Sequence, residues 1–416
     1  DIWNAHNHDI LAEEGIEDFC LPENNKDIEK LSGQPLLLLM LAIYDANFEL
    51  KANSLTKQTD QDDAFNRTTL YNELIRRFVR RELRKGPKGG GIAFDEADSN
   101  EQEVMVNEEM KKLGIAALGM FEREKLSLTV DELDHDLEYM EVKNIPYNQL
   151  GRKMLKNAEM VFGSFFFIHQ SRVENEEETK DATFEFLHKT FYEFLVADLV
   201  LFFLLDAVDS LYYHLNMQNG SKGEAHYRKD LENPDTFSKE YYAALNSVCL
   251  YTEPEIIQMI AEWKDSKITA CVQKETEGYK RELPRIMEDT FAQHIGMICD
   301  HTFSPTEAAW RSGGLADDKA DKSFAKSCAV YLMNLLTLRI LISGSCTVNA
   351  DIVECIGTKT SYNTLINLLE NRVTIRDAFL DVTNKKYLIQ YNGKKTFCNT
   401  VAADELSDEL LPTAGE

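Results

Sequence analysis

From Lys189 to about Leu215 the chain is too apolar on every side for a surface helix, and such a helix is stable only between other layers of protein. A membrane is the other medium that could bury it. The most apolar part, Phe191 to Leu205, is interrupted by Glu193 and Asp198, whereas a membrane span needs about 18 or more residues with few or no charges. The stretch therefore reads as a buried helix, and the rest of the chain has to supply its walls. With 416 residues, 44% of them hydrophobic, and a mean hydropathy of −0.36, there is enough apolar side chain for real cores. One core rarely serves beyond about 250 residues, so two or three domains are expected.

Helical spacing dominates the remainder. Gly33-Gln34-Pro35 precedes Leu36–Tyr44, and proline at a first helical position is preorganised because its missing N–H is not needed there. Thr69–Leu83 places Leu70, Leu74 and Phe78 on one face, with Arg76, Arg77, Arg80, Arg81 and Arg84 on others, which reads as a solvated face making i,i+4 ion pairs. Gly86–Gly91, followed by the acidic Asp95–Glu103, reads as an exposed linker. Helical spacing resumes over Glu103–Glu124, and Thr129-Val130-Asp131-Glu132 is a capping box that opens another helix. Phe165–His169 and Thr183–Leu187 are aromatic-rich strand signals around a polar loop and pair naturally as a hairpin. Helices followed by such a hairpin suggest a winged helix.

After the apolar helix, Asn216–Pro234 is polar and marks a second boundary. Candidate helices follow at Tyr241–Leu250, Glu255–Glu262, Leu283–Ile298, Phe324–Ile342 and Thr360–Leu369, with a strand at Lys386–Gln390. The expected fold is mainly α. Residues 1–85 form a first, helical region and 86–101 a linker. A winged-helix domain with a β-hairpin wing spans 102–215, a second linker 216–236, a mainly helical domain 237–400 and an acidic tail 401–416.

The balance of 45 Lys+Arg against 71 Asp+Glu, a net charge of −26, repels a phosphate backbone, so nucleic acid is not an expected partner. The expected recognition helix, Asp131–Met140, carries five acids of its own: Asp131, Glu132, Asp134, Asp136 and Glu138. Eight cysteines without a CxxC pair suit reduced thiols in cytoplasm. The opening Asp1–Leu11 is neither a signal peptide nor a transit sequence, and a start at Asp1 rather than Met reads as a cut end.

No G-x-x-x-x-G-K-(S/T) phosphate loop occurs, so catalysis by these residues alone is not expected and no catalytic residue is assigned. Ile92–Glu96 imitates a strand ending in magnesium-binding acids, but it lies in a Gly-rich linker with no phosphate loop before it. His294, Cys299 and His301 lack a fourth ligand at familiar spacing, so they read as an ordinary core thiol and polar histidines, and no metal site is expected. His188 differs, because it stands between a predicted strand and the start of a long helix, where free N–H groups and the dipole favour an anion.

Phe186-Leu187-His188-Lys189-Thr190-Phe191-Tyr192-Glu193-Phe194-Leu195-Val196-Ala197 resembles the F-x-H-x-(S/T)-F-x-E-(F/Y)-L-x-A signature that closes the winged-helix domain of NACHT-family STAND NTPases. Gly33-Gln34-Pro35-Leu36 resembles the G-x-P-L motif of that family's helical lid, in the same order. Leu70–Glu82, Ala116–Phe121 and Phe165–His169 are similar to bacterial members, as are Trp3-Asn4, Leu11-Ala12 and Leu21-Pro22. The likeness runs from Asp1 to about Leu205 and is faint beyond Phe237.

The resemblance implies that residues 1–85 hold the end of a nucleotide-binding region and a helical lid, that Gly33 and Pro35 bind nucleotide with Pro35 packing by the adenine, and that His188 touches the β-phosphate of ADP in a closed state. It implies ADP or ATP with magnesium, bound mainly by an upstream domain that carries the phosphate loop. It further implies a bacterial antiphage-defence or signalling switch that self-assembles when an unidentified protein or small-molecule trigger acts on it. A free-standing helical interaction scaffold without nucleotide is the alternative. A gel shift with duplex DNA should show no salt-sensitive complex; a band that fades as salt is raised would make the chain a DNA-binding regulator instead.

Overall fold

The computed structural model describes Ser32, Gly33, Leu38, Leu41, Ala42 and residues 67–84, 94–140, 168–173, 181–216, 221–232, 242, 244–273, 277–299, 324–343, 345–349, 375–381 and 386–391. Among them the protein is mainly helical, with small antiparallel sheets. The chain divides into two compact units, 1–110 and 111–416.

In the first unit, α1 (Arg67–Arg84) buries Leu70, Tyr71, Leu74, Ile75, Phe78 and Val79, the apolar face that its spacing predicted. The bonds of its arginines differ from expectation. Arg76 reaches Glu103 at 2.9 Å and Asn107 at 2.6 Å, and Arg80 reaches Glu103 at 3.0 Å, all on the next helix, α2 (Ser99–Glu122). Arg84 pairs with Asp95, which lies in a single 3-10 turn, Phe94–Glu96, rather than at the end of a strand. The expected linker is therefore partly ordered. Asp98 Oδ1 accepts from the N–H groups of Asn100 and Glu101 at 2.8 Å while the Glu101 carboxylate accepts from the N–H of Asp98, so α2 opens on a capping box inside a run of acids.

The second unit begins within α2. Its last turn closes with Lys125 N–H on the carbonyl of Met120 at 2.9 Å and Glu124 N–H on that of Phe121 at 3.0 Å, with Glu124 at φ 54. This is a Schellman ending carried by a non-glycine residue. The reversal turns Arg123 inward, where its guanidinium holds Asp136 by two bonds of 2.7 and 2.8 Å and the carbonyl of Gly119 at 3.1 Å. Both charged side chains are buried, at 3% and 0% exposure. Strand β1 (Ser127–Thr129) follows, and Thr129 caps α3 (Val130–Tyr139) with the predicted box: its hydroxyl accepts from Glu132 N–H and the Glu132 carboxylate accepts from Thr129 N–H.

Strands β2 (Ile168–Val173) and β3 (Asp181–Phe186) form the expected hairpin. Gln170–Val173 belong to the strand rather than to a loop, and Phe165–Phe167 lie outside the described residues. β1 adds to the free edge of β3, with Leu128 opposite Phe184, giving the order β1-β3-β2. A three-residue strand is too short for an alternation to announce it.

Helix α4 (Lys189–Asn216) is buried on every side from Phe191 to Leu201. Close packing against α2 is fixed at Gly114, where a Cβ would come within 3.1 Å of Leu199. No described helix is long and apolar enough to cross a membrane. The polar stretch after it, expected as a linker, contains α5 (Ser221–Leu231), a helix that buries Gly223, Tyr227 and Leu231 and exposes Lys222, Ala225, His226, Arg228 and Lys229. Tyr227 donates to Asp289 at 2.8 Å. Residues 244–250 form turns and bends rather than a continuous helix, for the buried Asn334 binds that backbone, donating to the carbonyls of Leu245 and Val248 and accepting from Leu250 N–H at 2.7 Å.

Helices α6 (Pro254–Gln273), α7 (Glu277–Cys299) and α8 (Phe324–Ser343) follow. A second sheet, β4 (Ser345–Asn349), β5 (Ile375–Asp381) and β6 (Lys386–Tyr391), has the order β4-β6-β5. The strand expected at Lys386–Gln390 is β6, and its two partner strands add a sheet to a region expected to be mainly helical. Thr360–Leu369 lie outside the described residues.

Gly119 and Gly296 separate packing from propensity. A Cβ at Gly119 would overlap the Asp136 carboxylate and meet the Arg123 guanidinium at 3.1 Å, whereas one at Gly296 would meet nothing within 4 Å. In chemical denaturation, Gly119→Ala should lose roughly 3 kcal/mol or more. Gly296→Ala should gain about 0.5–1 kcal/mol; equal effects of the two would contradict the described packing around Arg123.

Candidate functional site

The junction between β3 and α4 is formed by Leu187 and His188, and the sequence dictates its local geometry. His188 is the residue before the first helical position, and its Nδ1 accepts the N–H of Thr190 at 3.2 Å, with the Thr190 hydroxyl 2.7 Å from the same nitrogen. Its carbonyl accepts from Phe191 N–H at 3.1 Å. His188 is therefore the N-cap of α4, satisfying a donor that the helix itself leaves over. Because a backbone N–H can only donate, Nδ1 is the acceptor nitrogen, and the neutral ring carries its proton on Nε2. Burial lowers the imidazole pKa, which keeps the ring neutral. The half-buried ring thus presents one N–H donor, suited to an anionic oxygen.

Charge is concentrated beside it. Lys189 Nζ lies 3.1 Å from Glu193, one turn along α4, and 3.4 Å from Glu253, which directly precedes α6. Burial alone would lower the ammonium's pKa, but the hydrogen bond and charge of Glu193, aided by Glu253, outweigh it and raise it. Glu193 is itself buried, and burial raises its carboxyl pKa against the pull of Lys189, with Glu255 and Glu253 adding to the rise. Tyr192 is held firmly protonated by burial and by the charges of Glu253, Glu193, Glu122 and Glu124.

A second polar bond anchors the same pair of helices. Asp198, buried in the apolar wall of α4, accepts from the Trp263 indole at 2.8 Å and from Lys267 at 2.5 Å, while Phe194 packs on Trp263 with ring centroids 5.8 Å apart. Contacts rise together along the two helices, from Lys189 with Glu253 to Asp198 with Lys267, so α4 and α6 run side by side in the same direction. Of the two carboxylates that interrupt the apolar run, Asp198 thus binds α6, whereas Glu193 pairs with Lys189 of its own helix.

Of the residues singled out by sequence, His188 occupies the strand-to-helix junction expected for it. Gly33 lies in an exposed turn of the first unit, and Pro35 lies outside the described residues. Lys189 with Glu193 was readable as an i,i+4 pair; Glu253, Trp263 and Lys267, over sixty residues away, carried no local signal. His294 is wholly buried in α7, and no group of three or more His, Cys, Asp or Glu among the described residues could hold a metal ion. His301 is outside them. Comparison of the chain with protein families, with curated proteins and with solved structures finds no match.

Burial lowers the His294 pKa to about 3 from an unfolded value near 6.5. Between those values the unfolded chain binds the extra proton, so this residue makes stability rise with pH across the window and fall as acid is added. Unfolding free energy measured from pH 4 to 7 should show a shallower slope in His294→Phe than in the native chain; an unchanged slope would assign the acid sensitivity elsewhere.

Proposed function

We propose that this chain is the regulatory and sensor portion of a NACHT-type STAND ATPase switch of bacterial antiphage defence, holding ADP in a closed state and releasing it on triggering. The carrying observation is His188. It caps the helix that follows a β-hairpin, its ring is neutral, and its one remaining N–H is a hydrogen-bond donor at a helix N-terminus, where a phosphate oxygen gains from both the donor and the dipole. Among the described residues, α2, β1, α3 and the β2–β3 hairpin with β3 central support a winged-helix reading, and the residues around His188 resemble the family signature. Phe94–Glu96 offers no substitute for the missing phosphate loop, so the nucleotide and its magnesium would be held mainly by a domain preceding Asp1. Within this reading the described residues contribute a phosphate contact and the helices that position it. Population shift then needs a trigger that binds the open form better than the closed one.

The alternative, a helical interaction scaffold without nucleotide, draws support from the carboxylates that crowd the same junction. The two readings separate in one experiment on the parent protein carrying a phosphate loop ahead of Asp1. Loss of a hydrogen bond to a charged oxygen costs about 1.5–3 kcal/mol, so His188→Ala should speed ADP release roughly tenfold or more. His188→Asn, which keeps an N-cap oxygen but lacks the Nε2 donor, should release ADP equally fast while retaining thermal stability. ADP retention unchanged in both variants would leave the scaffold reading in possession.

A further inference from the structure

The two nitrogens of the His188 ring have their roles assigned by one neighbouring residue. Nδ1 has a single in-plane lone pair, and two groups of Thr190 close on it: the hydroxyl at 2.7 Å and the N–H at 3.2 Å. The N–H settles its own role, since it can only donate. A hydroxyl donates or accepts according to what it faces, and against an unprotonated Nδ1 it donates. The side chain is therefore the nearer of the two donors. Thr190 is the second residue of α4, and the residues that follow it, Phe191 onward, are buried, so the hydroxyl is carried by a fixed helix.

The opposite arrangement is costly. With the proton on Nδ1, the ring would still find the Thr190 oxygen as an acceptor, but its N–H would face the Thr190 N–H, donor against donor, and α4 would lose its cap. A doubly protonated ring carries an N–H at both positions and meets the same obstacle. Burial of the ring, which lowers its pKa, works in the same direction. The charged groups beside it, Lys189 and Glu193 of α4 and Glu253 ahead of α6, are engaged with one another.

We propose that Thr190 is a positioning residue for the His188 imidazole: its hydroxyl holds Nδ1 as an acceptor, which keeps the ring's proton on Nε2 and makes a second proton incompatible with the cap of α4. A capped helix start and a neutral ring protonated at Nε2 are thus one state. The use of that N–H as a donor to a ligand rests on the reading of His188 given above; the hold on the ring does not.

The full chain, its nine histidines isotopically labelled, is followed by long-range proton–nitrogen NMR through a pH titration, with the His188 signals identified by their loss in His188→Gln. At neutral pH His188 should show a protonated Nε2 and an unprotonated Nδ1. Thr190→Val keeps the shape of the side chain and the backbone N–H but removes the hydroxyl. Loss of one hydrogen bond of ordinary strength should raise the affinity of His188 for a proton about threefold to tenfold and admit the tautomer protonated at Nδ1. Thr190→Ser should behave as the native chain, and the other histidine signals report that each variant keeps its fold.

A protonated Nδ1 in the neutral native ring would overturn the proposal, as would a tautomer and titration that Thr190→Val leaves unchanged. So would Thr190→Ser moving His188 as far as Thr190→Val does, which would assign the effect to side-chain packing. No ligand is present in the measurement, so the ADP-release experiment can fail while this one succeeds, and the reverse.

Discussion

The buried pair Arg123–Asp136 is the constraint on which the geometry around the junction depends. It joins the last turn of α2 to the middle of α3 across only thirteen residues, and between its ends lie the Schellman reversal, β1 and the capping box of α3. β1 is three residues long and could not stand as an edge strand unaided. It is held because the residues before and after it are fixed. β1 in turn pairs with β3, and β3 delivers the chain to His188. Taking two charges out of water is costly, and removing one partner of such a pair costs about 3–5 kcal/mol, a large share of a domain's usual 5–15. The fit leaves no room for error, since even the hydrogen of Gly119 cannot become a methyl group without striking the carboxylate.

The same logic recurs on α4. An all-round apolar helix can slide or rotate among apolar neighbours with little penalty, because dispersion and hydrophobic burial are not directional. Asp198 removes that freedom. Asp198 in the apolar wall requires its partners at Trp263 and Lys267, and so sets where α6 lies along α4. Gly114 against Leu199 fixes the approach of α2 on the same helix. Asp198, one of the two charges that first served to exclude a membrane span, is thus the feature that gives α6 its seat on the buried helix.

What could be read from the sequence was whatever is encoded locally. The capping box at Thr129, the apolar face of Leu70 to Phe78, the hairpin and the buried helix each announce themselves within a dozen residues, and their bounds fall within a few residues of expectation. The misses have physical causes. The second capping box, Asp98 with Glu101, was hidden in a run of acids whose composition resembles a linker. Ser221–Leu231 has the polarity of a loop, yet one Tyr and one Leu on its inner face suffice to fold it against its neighbours. Tyr242–Leu250 has helical apolar spacing, but Asn334, more than eighty residues away, offers its backbone better partners. His188 was found because its position depends on adjacent elements; Glu253 was not, because its role depends on α6 lying parallel to α4.

That parallel arrangement also accounts for the acids at the junction. Two helices running in the same direction place their positive ends together, an arrangement that is unfavourable unless negative charge is supplied. Glu253 and Glu255 at the start of α6 and Glu193 near the start of α4 supply it, and Lys189 is drawn into the space between. Carboxylates there serve the fold before they serve anything else. The charge at the starts of these helices is therefore part of what lets α4 and α6 lie side by side, with Lys189 bridging the Glu193 of one and the Glu253 that leads into the other.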